Sequence, residues 1–120
     1  MNAHPIGDLG PLAQFHRALG DPVRLGMVAL LAQRELCVCH LQAALGLPQS
    51  TTSRQLGTLR AAGIVETRRN QRWIHYRLAR PPDPACAAQL GALVRRFRRS
   101  ASTRAIVGRL TRELGPRACS

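Results

Sequence analysis

Apolar positions along the chain recur first with a helical period, then with a strand period, then with a helical period again. Leu9, Leu12, Ala13 and His16, with Leu19 nearby, predict a first helix running to about Ala18. Gly20-Asp21-Pro22 resets the chain, with Asp21 suited to an N-cap and Pro22 to the first helical position. Val23, Met27, Leu30 and Leu31 form the stripe of a second helix. A short third helix is expected from about Val38 to Leu45, stopped by Gly46. Leu47-Pro48-Gln49-Ser50 reads as a turn in which Ser50 caps a fourth helix anchored by Leu56 and Leu59 and ending near Gly63. The period then becomes two. Residues 65–69 and 73–78 read as strands around Asn70-Gln71-Arg72, with Ile74, Tyr76 and Leu78 alternating onto a face that should pack on the helices. After Pro81-Pro82-Asp83-Pro84 the helical stripe returns at Leu90, Leu93, Val94 and Phe97, and extends through Ile106, Val107, Leu110 and Leu114 after a break near Ser100.

The expected fold is mainly α with a β-hairpin. It is one domain spanning residues 1–120, with 1–8 and 115–120 as flexible tails. A short helix, a tight turn and a second helix make a helix-turn-helix, and the hairpin that follows makes its wing. The second of these helices opens on hydrogen-bonding side chains: Gln49, Ser50, Thr51, Ser53, Arg54 and Gln55. Free N–H groups at a helix start suit phosphates, and the side chains reach base edges, Gln55 suiting adenine and Arg54 guanine or phosphate. Arg68, Arg69, Asn70, Gln71 and Arg72 would place the wing tip on the neighbouring minor groove or backbone.

Charge strengthens this reading. The formal net charge is +12, and all 18 basic residues are arginine. Such an excess calls for a polyanionic partner and salt-sensitive binding, here double-stranded DNA. No basic amphipathic helix carries the aromatic anchors that a membrane surface would require, no apolar run is long enough to span a bilayer, and no export signal opens the chain. A cytoplasmic location is expected. No Cys-x-x-Cys motif, nucleotide-binding loop or acid/base pair points to an enzyme.

Candidate chemistry lies in the cysteines at positions 37, 39, 86 and 119, expected to be reduced. Cys37 and Cys39, spaced i, i+2, sit just ahead of the DNA-reading helix. On a regular helix they would diverge by about 200°. Gripping one ion with both therefore needs a loosened helix start or unwinds the first turn, a conflict that could bias a DNA-binding equilibrium. His40 could complete a Cys-Cys-His zinc site, although a solvated helix position is the more ordinary role for such a histidine. His75 reads as structural or phosphate-adjacent, and Cys86 alone as a small core hydrophobe.

Four segments in order, Leu19-Gly20-Asp21-Pro22-Val23-Arg24-Leu25, Glu35-Leu36-Cys37-Val38-Cys39-His40-Leu41, Ser50-Thr51-Thr52-Ser53-Arg54-Gln55-Leu56 and Trp73-Ile74-His75-Tyr76-Arg77-Leu78, resemble the ArsR/SmtB family of bacterial repressors across residues 9–99. The resemblance implies a winged helix-turn-helix homodimer joined through its first and last helices. It also implies an inverted-repeat operator, released when metal binds. Gln55 stands where many relatives carry histidine. The cysteine pair is similar to the inducer site of arsenite and antimonite sensors, so trivalent arsenic or antimony is the implied inducer, with no resident cofactor required. Those sensors often supply a third sulfur three residues after the second cysteine. Gln42 holds that position here, leaving Cys86 or Cys119, from the same chain or the dimer partner, or a small thiol. Cadmium/lead sensors add cysteines from an N-terminal arm, and zinc sensors add His and Asp along the last helix. Met1 to Gly10 and residues 85–99 offer neither. A thiol redox sensor, or a cadmium/lead/zinc-sensing repressor of the same fold, is the alternative reading.

Overall fold

The computed structural model describes residues 5–70 and 73–114. Within them six helices surround a small antiparallel sheet: α1 (Gly10–Leu19), α2 (Pro22–Leu31), β1 (Leu36–Cys37), α3 (Val38–Leu45), α4 (Gln49–Ala61), β2 (Val65–Asn70), β3 (Trp73–Leu78), α5 (Pro84–Arg98) and α6 (Ala101–Glu113). The mainly helical fold with a β-hairpin and a helix-turn-helix matches the expectation.

Local chemistry explains most of the boundaries. The Asp21 carboxylate accepts the Arg24 N–H at 3.1 Å, and Pro22 takes the first position of α2. Asp83 caps α5 through the Ala85 N–H at 2.8 Å, ahead of Pro84. Ser100 breaks the last helical stripe by capping α6, its Oγ accepting the Thr103 N–H at 3.2 Å. Gly46 closes α3 in the left-handed region (φ 65°), a conformation that costs glycine no Cβ clash.

Three expectations are corrected. The fourth helix starts two residues earlier than a Ser50 cap requires: Pro48, in extended geometry, is its N-cap, and Ser50 lies in the first turn. The Pro48 carbonyl is taken by the side chain of buried Thr52 at 2.9 Å. Ile74 does not pack on the core and is 45% exposed, whereas Tyr76 and Leu78 do pack there. The sheet also has a third strand. β1 pairs with β3, setting Leu36 opposite Tyr76 and Cys37 opposite His75, in the order β1-β3-β2.

The core gathers Phe15, Met27, Val28, Leu31, Leu36, Leu41, Leu56, Leu59, Ile64 and Val65, so α1 to α4 and the base of the wing share one interior. α5 adds Cys86 and Leu90, and α6 adds Val107. The end of α5 is tied to the α2 terminus by two bonds, Gln33 Nε2 to the Phe97 carbonyl and Arg98 Nε to the Ala32 carbonyl, both 2.9 Å. From there α6 turns back across α2 and α3 of its own chain. No described helix is long and apolar enough to cross a membrane.

Candidate thiol site and DNA-reading surface

Cys37 ends β1 and serves as the N-cap of α3, with an extended backbone (ψ 169°). Cys37 thus stands outside the regular helix, at its cap, while Cys39 lies within the first turn. The two side chains also occupy different surroundings. Cys37 is buried, whereas Cys39 is half-buried and lines surface grooves. Neither of them, nor Cys86, forms a disulfide among the described residues.

His40 is not a solvated helix residue. It is 1% exposed. Its Nδ1 accepts the Cys37 backbone N–H at 3.3 Å and lies 3.1 Å from the Cys37 sulfur. Sulfur and imidazole thus form a capping box at the start of α3. Sequence reasoning weighed His40 only as a solvated residue or a zinc ligand. Its position three residues after an N-cap was the signal for this role. Across a cavity of about 260 Å³, His40 faces a lining that includes His75, Glu35, Arg68 and Thr111.

Cys86 lies on α5, buried in the core, and burial followed by the Asp83 charge pushes its thiol pKa up. A neutral, inaccessible thiol is a poor soft-ion ligand. Among the described residues no three His, Cys, Asp or Glu side chains form a preassembled metal site. Cys119 lies outside the described residues.

The candidate DNA surface is placed more fully. Gln49, Ser50, Ser53 and Arg54 are exposed on α4, and Thr51 is half-buried. Gln55 points toward α2, where its Oε1 accepts from Arg24 Nη1 at 2.7 Å, while Arg24 also binds the Ala18 and Arg17 carbonyls. On the wing, Arg68 is held by Glu35 at 2.8 Å, and Arg69 is exposed. Asn70 is placed as the end of β2, whereas Gln71 and Arg72 lie outside the described residues.

One groove joins the two sites. Val38, Cys39, Gln49, Ser53, Trp73, Ile74 and Tyr76 line a space of about 360 Å³ between the starts of α3 and α4 and strand β3. The more exposed thiol thus shares a wall with Gln49 and Ser53 of α4, while Cys37 is hydrogen-bonded through its strand to the wing.

A helix-turn-helix with a polar second helix and a basic hairpin beside it defines a winged-helix DNA-binding regulator. Comparison with known proteins agrees. Residues 21–67 match the model of bacterial regulatory proteins of the arsR family. The chain is 45% identical over 78 residues to the arsenical resistance operon repressor of Escherichia coli, covering 64% of this chain and 66% of that one. The crystal structure of the transcriptional repressor BigR from Xylella fastidiosa superposes with a TM-score of 0.56 at 42% identity, over 72% of this chain and 85% of that one. The homodimeric winged helix-turn-helix domain of Mb0332 from Mycobacterium bovis gives 0.62 at 34% identity, over 75% and 80%. The chain belongs to the arsR family of bacterial regulatory proteins. Its match spans about two thirds of the length of the E. coli repressor.

Proposed function

We propose that this protein is a metalloid-responsive repressor that binds operator DNA as a homodimer and leaves it when trivalent arsenic or antimony is bound by Cys37 and Cys39. The groove shared by Cys39, Gln49 and Ser53 carries this reading. For one ion to hold both sulfurs, Cys37 must leave its contact with His40 or the first turn of α3 must open. The first movement pulls on the Cys37–His75 pairing and hence on the wing. The second disturbs the helix on which α4 packs. Either one spends ion-binding free energy on the elements that face DNA, which is what a ligand must do to shift a two-state equilibrium. The similar E. coli protein, an arsenical resistance operon repressor, favours the same inducer.

DNA contacts are assigned to Gln49, Ser50, Thr51, Ser53 and Arg54 on α4, and to Arg69, Asn70, Gln71 and Arg72 on the wing, with Gln55 and Arg68 available only after release from their Arg24 and Glu35 partners. The dimer is assigned to α1 with α5. These two helices are joined by His16 Nε2 to Gln89 Oε1 at 2.8 Å, and Leu9 stays exposed beside them. The last helix, α6, is instead engaged with its own chain.

The test is release of operator DNA by arsenite in a mobility or anisotropy titration. Wild type dissociates, and Cys37→Ser and Cys39→Ser bind DNA normally but do not respond. Induction retained in both variants sinks the proposal. Release by peroxide without release by arsenite would replace it with the redox reading.

A further inference from the structure

The last two helices carry charge that the rest of the chain does not compensate. Seven arginines fall between Arg95 and Arg112, all of them exposed. Of the six acidic residues, five are engaged elsewhere. Asp8, Asp21 and Asp83 accept backbone N–H groups at helix starts, and Glu35 and Glu66 pair with Arg68 and Arg77 on the wing. Only Glu113 shares α6 with its arginines. On that helix Thr103, Ile106, Val107 and Leu110 turn inward, toward α2 and α3. Arg104, Arg109 and Arg112 lie opposite, within an arc of about 140°, with Ala101, Ala105 and Gly108 among them. Among the described residues none of these three side chains has a hydrogen-bond or ion-pair partner. A solvated helix face ordinarily mixes both signs of charge. Favourable placement at the negative end of the helix accounts for Arg112 alone.

The position of α6 selects the partner. Thr111, beside Arg112, lines the cavity at the base of the wing with Arg34, Arg68 and His75. Leu114 lines a groove with Gly46 and Leu47, the turn that leads into α4. The last turn of α6 is thus set between the wing and the helix-turn-helix. Exposed Arg34, on the same cavity, continues the basic face toward the wing arginines. A second copy of the chain does not fit this face, because two-fold pairing sets arginine against arginine.

Resting on the operator-binding reading, we propose that α6 is a second DNA-contact surface: duplex flanking the operator runs past the wing onto α6, where Arg104, Arg109 and Arg112 bind phosphates without reading bases. Arg104 and Arg112 stand about 12 Å apart along the helix axis. Over that length a duplex presents about seven phosphates, ample for three guanidinium forks. The contact adds affinity that depends on the length of DNA outside the repeat and not on its sequence.

The probe is an inverted repeat recovered by selecting wild-type binders from a random-sequence duplex library. It is prepared alone and with about 10 base pairs, one helical turn, of random sequence added at each end. Anisotropy titrations across a salt series measure both duplexes. Wild type binds the extended duplex on the order of 10-fold more tightly, and the slope of log affinity against log salt steepens by about 0.9 for each added phosphate contact. Arg104→Gln/Arg109→Gln/Arg112→Gln binds the bare repeat as wild type does and loses both gains. Lysine at the same three positions keeps most of them, and thermal unfolding is unchanged in both variants. Wild type that gains nothing from the added turn overturns the proposal, as does a gain that survives in the glutamine variant. An equal loss on both duplexes also overturns it, because the arginines then contribute only a general field. Failure of wild type to select any repeat removes the operator-binding reading, and this proposal with it.

Discussion

The sulfur of Cys37 lies 3.1 Å from Nδ1 of His40, and the same ring nitrogen accepts the Cys37 backbone N–H at 3.3 Å. The first turn of α3 is therefore locked by the residue that an incoming ion would have to take. His40→Ala leaves that N–H buried without a partner and opens a void, a loss of about 2–4 kcal/mol. His40→Gln, whose amide oxygen can accept the same N–H, loses less than half of that. Urea unfolding measures both. A gap of under about 0.5 kcal/mol between them contradicts a hydrogen-bonding role for the imidazole.

The ion pair between Arg68 and Glu35 is about one-third to one-half exposed, at 43% and 32% of the side-chain surfaces. Such a pair contributes roughly 0–1 kcal/mol to stability, so its larger effect falls on DNA binding. Glu35→Gln releases Arg68 toward phosphate. The slope of log affinity against log salt steepens by about 0.9, with little change in unfolding. Adding Arg68→Ala to Glu35→Gln returns the slope to its original value. An unchanged slope in Glu35→Gln would mean that Arg68 never reaches the backbone.

The legible parts of the fold were those set by chemistry between near neighbours. Asp21-Pro22, Asp83-Pro84 and Gly46 mark helix boundaries whatever surrounds them: the first two start α2 and α5, and Gly46 stops α3. Ser50 had the right chemistry for a cap, but Pro48 already supplies the extended backbone, so the helix begins before Ser50 can act. β1 was not legible, because a two-residue strand exists only through its partner β3. Ile74 and Tyr76 do share a face, as alternation requires. At that end of the hairpin, however, the face overhangs an open groove rather than the core. At the site, the sequence identified the thiol pair and the polar helix. The groove that joins them depends on long-range packing that no local spacing encodes.

Cys86 provides a pH dependence with a definite sign. Burial first, and Asp83 second, raise its thiol pKa above that of the unfolded chain. The native state thus holds this proton longer, and the stabilisation is complete below the unfolded thiol's range. It is lost as pH rises through the folded value, so stability falls in the alkaline region. Thermal unfolding from neutral to strongly alkaline pH should show this decline, and Cys86→Ala should flatten it at a cost of about 1 kcal/mol. A disulfide reagent should modify Cys39 before Cys86. The reverse order contradicts the burial.

Arg24 joins three elements with a single guanidinium, reaching the Ala18 carbonyl at 2.8 Å, the Arg17 carbonyl at 3.1 Å and Gln55 Oε1 at 2.7 Å. The first two bonds satisfy carbonyls at the end of α1, and the third holds Gln55 of α4 against α2. Charge-assisted bonds of this kind contribute about 1.5–3 kcal/mol each when a single partner is removed, and less than their sum together. Arg24→Ala should therefore cost about 2–4 kcal/mol. Lysine, with one compact charge in place of a planar fork, cannot span all three acceptors, so Arg24→Lys should recover little. Gln55→Ala breaks only the third bond and should cost about 1 kcal/mol. DNA binding separates the two roles of Gln55. If its side chain exchanges Arg24 for a base in the complex, Gln55→Ala lowers affinity for the operator while leaving affinity for unrelated duplex unchanged. A uniform loss on both DNAs would show that Gln55 only holds α4 in place.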